Sequence, residues 1–254
     1  MRFALPAGYR RQAFDSLPST NGEALAGARR GEAGGLWVTA AVQTAGRGRR
    51  GRAWATEPGN LAATLLLIDP CPAELAPRLS FVAGVALQEA AVAAAGAAAA
   101  GRLALKWPND LLLDGGKAAG ILVEGENLAG GRRAVAIGVG VNCVSHPDIE
   151  GLLPAVDFAG HGIAVDAEAL FAALAAAMDR ALAVWDRGQG FAAIRTAWLA
   201  RAAGLGAPVR VNLEGRSAEG RFEALDEAGR LVLAMADGRR EAFGAGDVFP
   251  LAAG

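Results

Sequence analysis

The sequence predicts an α+β fold in two parts. Residues 1–204 form a large domain, a mixed β-sheet with helices on one face, and residues 205–254 form a small β-barrel. Three observations carry this. Short β-branched and apolar runs are interleaved with two long alanine-rich helical stretches, without a regular strand–helix alternation. Two of the runs are joined directly by Asp114-Gly115-Gly116, a hairpin turn, because glycine accepts positive φ there. After Gly204-Leu205-Gly206 the texture changes to short alternating strands separated by Glu214-Gly215, Glu227-Ala228-Gly229 and Asp237-Gly238. A unit of about 45 residues made of close hairpins reads as a small barrel.

The elements follow in order. Leu36 to Val42 is aromatic and β-branched enough for a buried strand, and Asn60 to Ile68 is a second. Ser80 to Ala100 is a helix, alanine-dominated and interrupted by Gln88 and Glu89, so it reads as a core helix and not as a membrane span. Leu103 to Trp107 is a short strand ended by Pro108. Leu111 to Leu113 and Lys117 to Glu124 flank the hairpin turn, and Ala134 to Asn142 is the next strand. Helices over 166–187 and 189–203 place Trp185 and Trp198 on apolar faces, as core residues. In the barrel, Val209 to Leu213, Gly220 to Leu225 and Leu231 to Leu233 are strands.

Composition excludes several classes. With 25 basic and 26 acidic residues the net charge is −1, which argues against a general nucleic-acid coat. Two cysteines, Cys71 and Cys143, lack metal-ligand spacing and suit a reducing cytoplasm. The N-terminal stretch has no signal-peptide run.

Residues 46 to 52 read GRGRRGR. The glycine spacing matches the dinucleotide-binding fingerprint, but that fingerprint needs a helix to start at the loop. Here Ala53 to Gly59 follow, with Pro58 and Gly59 barring a helix, and then a strand. No Gly-Lys-Ser/Thr follows either, so the loop is not a P-loop. It can still hold an anion, because glycine lets the backbone approach and guanidinium forks bind phosphate or carboxylate oxygens. Four like charges repel until an anion neutralises them, so the loop is expected to be mobile when free.

Other segments join it: Lys106-Trp107-Pro108-Asn109-Asp110, then Lys117 seven residues after Asp110 and brought near it by the hairpin. Gly138-Val139-Gly140-Val141-Asn142 has glycines where backbone approaches something closely. With Ser19-Thr20-Asn21, Gln43, Trp54, Pro58-Gly59-Asn60-Leu61, Lys117 to Glu124 (KAAGILVE) and Ile137 to Asn142, this set resembles the biotin protein ligases over residues 19 to 142. The barrel resembles that family's SH3-like domain, and the large domain its class II synthetase-like fold.

The resemblance implies a ligase that joins biotin to ATP, with Mg2+, as biotinoyl-5′-AMP and then moves biotin to one lysine of a biotin carboxyl carrier protein. It implies catalytic roles for Arg47, Arg49 and Lys117, with Lys117 bridging the biotin carboxylate and the phosphate. It implies biotin contacts at Ser19, Thr20, Asn21, Gln43, Arg47, Gly48, Arg49, Lys117, Gly120, Leu122, Gly138 and Gly140. It implies nucleotide contacts at Arg49, Arg50, Arg52, Trp54, Lys106, Asn109, Asp110, Lys117 and Asn142, with Mg2+ as the link to Asp110. Trp54 reads equally as a shield for the adenylate or as a core residue. A lipoate–protein ligase shares the architecture and is the nearest alternative; a nucleic-acid-binding protein using the arginine loop is the alternative from another class. The resemblance admits a homodimer without requiring one.

The chain departs from the family at Ala62-Ala63, where an aromatic is frequent, and the tract Val144 to His161, expected to help cover the adenylate, matches no motif. His146 and His161 receive no role. Eighteen residues precede Ser19, too few for the winged helix of ligases that double as repressors. No sequence-specific DNA partner and no membrane partner are therefore expected. Without a reader helix, DNA association should be weak and vanish by physiological ionic strength; a footprint on a defined sequence at that salt would contradict this.

Overall fold

The computed structural model describes residues 4–147 and 153–251. Its large domain carries seven strands: β1 (Arg10–Leu17), β2 (Leu36–Gln43), β3 (Leu61–Ile68), β4 (Leu103–Lys106), β5 (Asp110–Leu113), β6 (Gly116–Asn127) and β7 (Arg133–Val141). They form one mixed sheet in the order β1-β2-β3-β7-β6-β5-β4. Only β1 and β2 run parallel; every other neighbouring pair is antiparallel. Four helices accompany it: α1 (Thr20–Arg29), α2 (Leu79–Ala95), α3 (Ala167–Trp185) and α4 (Phe191–Leu199).

Period-two alternation sorts the strand residues between two cores. Trp37, Ala63, Leu65, Val135 and Ile137 face α2 and α3, while Leu36, Val38, Leu66, Ala134 and Ala136 face α1. The helices therefore do not share one face, as the sequence suggested. Helix α1 is short and weakly amphipathic, with Thr20, Asn21 and Gly27 among its buried residues, so hydrophobic periodicity does not reveal it. It covers β2, β3 and β7 but leaves the rest of that face to a cleft. Ser19 caps it, its Oγ accepting from Gly22 N–H.

Helix α2 begins at Leu79 and yields to a 3-10 turn at Gly96, because Gly96 adopts positive φ. The helical tract Ala73–Ala99 is long and apolar enough to cross a membrane, yet Leu79, Val82, Ala83, Ala86 and Leu87 are fully buried in the protein core. Helix α4 stops at Leu199, earlier than its pattern suggests, because Arg201 O and Ala203 N pair with the backbone of Leu105. Trp185 and Trp198 are core residues, each 1% exposed, and Trp198 packs edge-on against Phe81 at 5.6 Å.

The hairpin turn is built as the sequence requires, with Asp114 and Gly115 both at positive φ between β5 and β6. The small domain has five strands, β8 (Pro208–Asn212), β9 (Ser217–Leu225), β10 (Leu231–Ala234), β11 (Arg240–Phe243) and β12 (Asp247–Pro250), ordered β11-β10-β9-β8-β12. The last two fall outside the sequence reading. They are four residues each, and charged or glycine-rich flanks hide their alternation. Trp107 ties the domains: its Nε1 donates to Gly229 O (3.1 Å), and Gly229 sits against Phe81. Trp198→Ala should cost about 3–5 kcal/mol, since it leaves a cavity that α2 and α4 cannot close; chemical denaturation measures this.

Candidate functional site

The uncovered part of the α1 face is a cleft of about 420 Å³. Its floor is β6 and β7, where Gly120 pairs with Gly140 and Leu122 with Gly138. The glycines are there because other groups occupy their side-chain space. A Cβ on Gly140 would come within 2.4 Å of Trp54 Nε1, and one on Gly138 within 2.3 Å of Asn21 Oδ1. Trp54 thus lies on the strand floor and is not a core residue.

One end of the cleft is polar. Gln43 Oε1 accepts from Thr20 N–H (2.8 Å) and lies 3.0 Å from the Thr20 hydroxyl; its Nε2 donates to Thr56 Oγ1 (3.1 Å). Thr64, fully buried on β3, donates to Asn21 Oδ1 (2.7 Å) and sits 2.8 Å from Thr20 Oγ1. Asn21 Nδ2 donates to Leu122 O (3.2 Å) and to Glu124 Oε2 (2.8 Å). Donors on one side of the Asn21 amide and acceptors on the other fix which way it points.

The other end is cationic. Lys117 Nζ is 2.7 Å from Asp110 Oδ1, and Lys106 Nζ is 3.4 Å from Asp110 Oδ2. The hairpin thus brings Asp110 and Lys117 together as its turn signal implied. Burial holds the Lys106 ammonium below the usual lysine range, against the pull of Asp110, with Lys117 adding to the depression. The ammonium stands over the Phe249 ring, 5.8 Å from Nζ to the centroid. Lys117 Nζ is 5.5 Å from the Trp54 ring centroid.

The arginine loop is a hairpin between β2 and β3, closed by Trp54 N–H donating to Gly46 O (2.9 Å) and by the Arg47–Ala53 and Gln43–Thr56 bridges. No helix follows it, so the dinucleotide fingerprint fails structurally as well. The loop's charges are not left uncompensated, as reading the segment alone suggests. Arg50 and Arg52 both reach Asp247 Oδ2, at 3.1 and 2.6 Å, and Arg47 lies 3.4 Å from Glu124. Arg49 donates to Asn109 Oδ1 (3.1 Å), and burial lowers its pKa against the opposing pull of Asp247 and Asp110. These counter-ions come from strands 77 and about 200 residues away, beyond any local reading.

The cleft is lined by Ser19, Thr20, Asn21, Gln43, Arg47, Gly48, Arg49, Arg52, Trp54, Lys106, Asn109, Asp110, Lys117, Gly120, Leu122, Gly138, Gly140 and Asn142. Arg50 does not line it and points to the barrel instead. Sequence reasoning missed Asp247 and Phe249 of β12, and Pro147, Leu153 and Ala155 of the tract Val144 to His161. That tract runs beside Lys117 and Asn142: Lys117 N–H donates to Pro154 O, Val156 N–H to Lys117 O, and Asn142 Nδ2 to Val156 O. Asn60 anchors its start through Cys143 and Val144 N–H, and His146 Nδ1 meets Asp157 Oδ2 at 2.6 Å. Residues 148–152 of the tract lie outside the described residues. His161 pairs with Asp114 at the hairpin turn, away from the cleft.

The biotin/lipoate A/B protein ligase family model matches residues 14–142, and the biotin protein ligase C-terminal domain model matches residues 204–249. A biotin–[acetyl-CoA-carboxylase] ligase of Paracoccus denitrificans is 48% identical over 227 residues, 87% of this chain and 93% of that protein. One from Mycobacterium tuberculosis is 34% identical over 92% of this chain and 86% of its own length. Biotin protein ligase from Aquifex aeolicus, solved with biotin and ATP, has the same fold, with a TM-score of 0.78 at 22% identity over 95% of this chain and 99% of that one.

A methyl group at Gly140 would collide with the Trp54 indole. Gly140→Ala should therefore leave the circular dichroism spectrum intact but weaken adenylate binding roughly ten- to a hundredfold, the range expected of overpacking at about 1–3 kcal/mol.

Proposed function

Since the chain belongs to the biotin/lipoate A/B protein ligase family, we propose that it is an ATP-dependent biotin–protein ligase acting on the biotin carboxyl carrier domain of acetyl-CoA carboxylase and similar enzymes. The observation that carries this is the polarity gradient of one cleft. A hydrogen-bonding end (Thr20, Asn21, Gln43) leads over an apolar glycine floor past Leu122 to a cluster of cations. That order suits a ligand with a polar ureido head, a short aliphatic tail and a carboxylate. A lipoyl head, which has no N–H or carbonyl, would leave the polar end without a partner.

In the first half-reaction a biotin carboxylate oxygen attacks the α-phosphorus of ATP, and the bond to the β,γ-pyrophosphate breaks. Both reactants are anionic, so cations must offset their repulsion and the charge of the transition state. Lys117 stands at that junction, its backbone fixed by β6 and by the parallel bridge to Ala155, its ammonium steered by Asp110. Arg49, held by Asn109, flanks the acid–phosphate side, and Arg47, 3.4 Å from Glu124, lies toward the head of the ligand. Asn109, Asn142, Lys106 and Arg52 face the nucleotide, and Trp54, lying on the Gly120–Gly140 floor, shields the mixed anhydride from that side. In the second half-reaction the carrier lysine amine attacks the acyl carbon and AMP leaves.

The ATP arrives with Mg2+. Among the described residues no cluster of three metal-ligating side chains exists, and the cleft carboxylates Asp110 and Asp247 are both paired with cations. Asp110 is the cleft carboxylate that would hold the ion, which would offset the charge of the triphosphate. The chain works in the cytoplasm, where its two buried free thiols stay reduced.

Mass spectrometry of a purified carrier domain incubated with the chain, ATP, Mg2+ and biotin should show the mass of one biotinyl group; an unmodified carrier overturns the reading, and gain with lipoate alone replaces it. Lys117→Ala should slow adenylate synthesis roughly a hundred- to a thousandfold, as loss of a transition-state donor of about 3–4 kcal/mol does. Lys117→Arg should recover part of the rate, because a planar fork replaces a compact charge poorly. Pyrophosphate exchange measures both, and a rate for Lys117→Ala within about twofold of the unmodified chain would make this lysine an ordinary surface residue.

A further inference from the structure

Glu124 closes the KAAGILVE segment, and the chemistry described above gives it no task. Its two carboxylate oxygens serve different elements. Oε2 accepts from Asn21 Nδ2 at 2.8 Å, at the polar end of the cleft; Oε1 lies 3.4 Å from Arg47 Nη2, in the arginine loop. Asn21 is buried, with both Nδ2 hydrogens engaged by Glu124 and Leu122 O, and its Oδ1 accepting from Thr64. The amide is therefore locked with its oxygen between Thr64 and Gly138, a glycine of the cleft floor, and Thr64 takes only one of that oxygen's two lone pairs. Without the carboxylate, Asn21 Nδ2 loses one of two acceptors, and a flipped amide becomes accessible.

We propose that Glu124 is a positioning residue with two functions: it orients Asn21 as an acceptor for a ureido N–H of biotin, and through Arg47 it ties the arginine loop down over the occupied site. This rests on the reading of the chain as a biotin–protein ligase. The site it defines is a dipole filter at the head of the ligand. A head group offering N–H beside Asn21 Oδ1 is accepted, and one offering only acceptors or sulfur is not.

The two functions separate by substitution in the full chain. Glu124→Gln keeps an oxygen that can accept from Asn21 but removes the charge that holds Arg47. Glu124→Ala removes both. For Glu124→Ala the KM for biotin should rise roughly ten- to a hundredfold, the loss expected of a hydrogen bond to a charged group, while kcat for adenylate synthesis stays close to that of the unmodified chain. Glu124→Gln should restore the KM but release bound biotinoyl-AMP about two- to fivefold faster, the scale of a partly exposed ion pair. Arg47→Ala combined with Glu124→Gln should add nothing to that release beyond Arg47→Ala alone. A KM that does not separate the two variants, or additive release rates, overturns the proposal; so do equal losses of kcat and melting temperature in both. The unmodified chain is assayed beside them: no biotin-dependent exchange there defeats the functional reading itself, whereas activity there with unchanged variants defeats only the role of Glu124.

Discussion

The site depends on one electrostatic constraint: five cations, Arg47, Arg49, Arg52, Lys106 and Lys117, line a single cleft with two carboxylates, Asp110 and Asp247. Cations this close repel one another, and a cleft shielded from water strengthens that repulsion. The fold offsets it by placing each carboxylate between two cations: Asp110 between Lys106 and Lys117, and Asp247 between Arg50 and Arg52. The surplus is positive, and it is what an anionic ligand would neutralise. Burial already disfavours the charge on Lys106 and Arg49, so the cleft holds its cations at a cost to the folded state. Such a cost is expected where a site is shaped for a ligand rather than for stability.

The same economy governs the floor. Strands β6 and β7 exchange side chains for glycines along the cleft, which gives up strand propensity and packing. Their neighbours recover what is lost. Trp54 lies over Gly120 and Gly140, and Asn21 fills the space above Gly138. A flat floor for the ligand and a fixed place for the indole are therefore one feature. The arginine hairpin that carries Trp54 closes on itself, Trp54 N–H donating to Gly46 O, and the indole over Gly120 and Gly140 registers that loop to the floor.

Much of this is legible in the sequence, for physical reasons that differ by element. The β5–β6 hairpin is written locally, because Asp114-Gly115 demands positive φ and the chain on either side is apolar. The failure of the dinucleotide fingerprint is equally local, since Pro58-Gly59 forbids the helix it needs. Helix α1 is not legible from periodicity, because its buried side includes Thr20, Asn21 and Gly27; only the Ser19 cap could have marked it. Nor is Thr64, a fully buried hydroxyl in an apolar strand whose partners lie 43 and 44 residues away. Asp247 is the clearest case: a lone carboxylate in a turn-rich stretch acquires meaning only when the barrel docks and sets it 2.6 Å from Arg52.

That docking bears on what the barrel is for. Its contact with the large domain rests on apolar packing around Gly229, Phe81 and Phe191, and on the buried hydrogen bond from Trp107 to Gly229 O. Trp107 itself sits between Lys106 and Asn109, two residues that line the cleft. The bond that seats the barrel therefore also fixes the segment presenting Lys106, Asn109 and Asp110. From the other side, β12 reaches back with Asp247 and Phe249 to hold two arginines and set a ring against the Lys106 ammonium. The barrel is thus not an appendage on a finished site. Displacing it would free Arg50 and Arg52, uncover Lys106 and loosen the Trp107 segment together, because each is held by a contact that crosses the domain boundary.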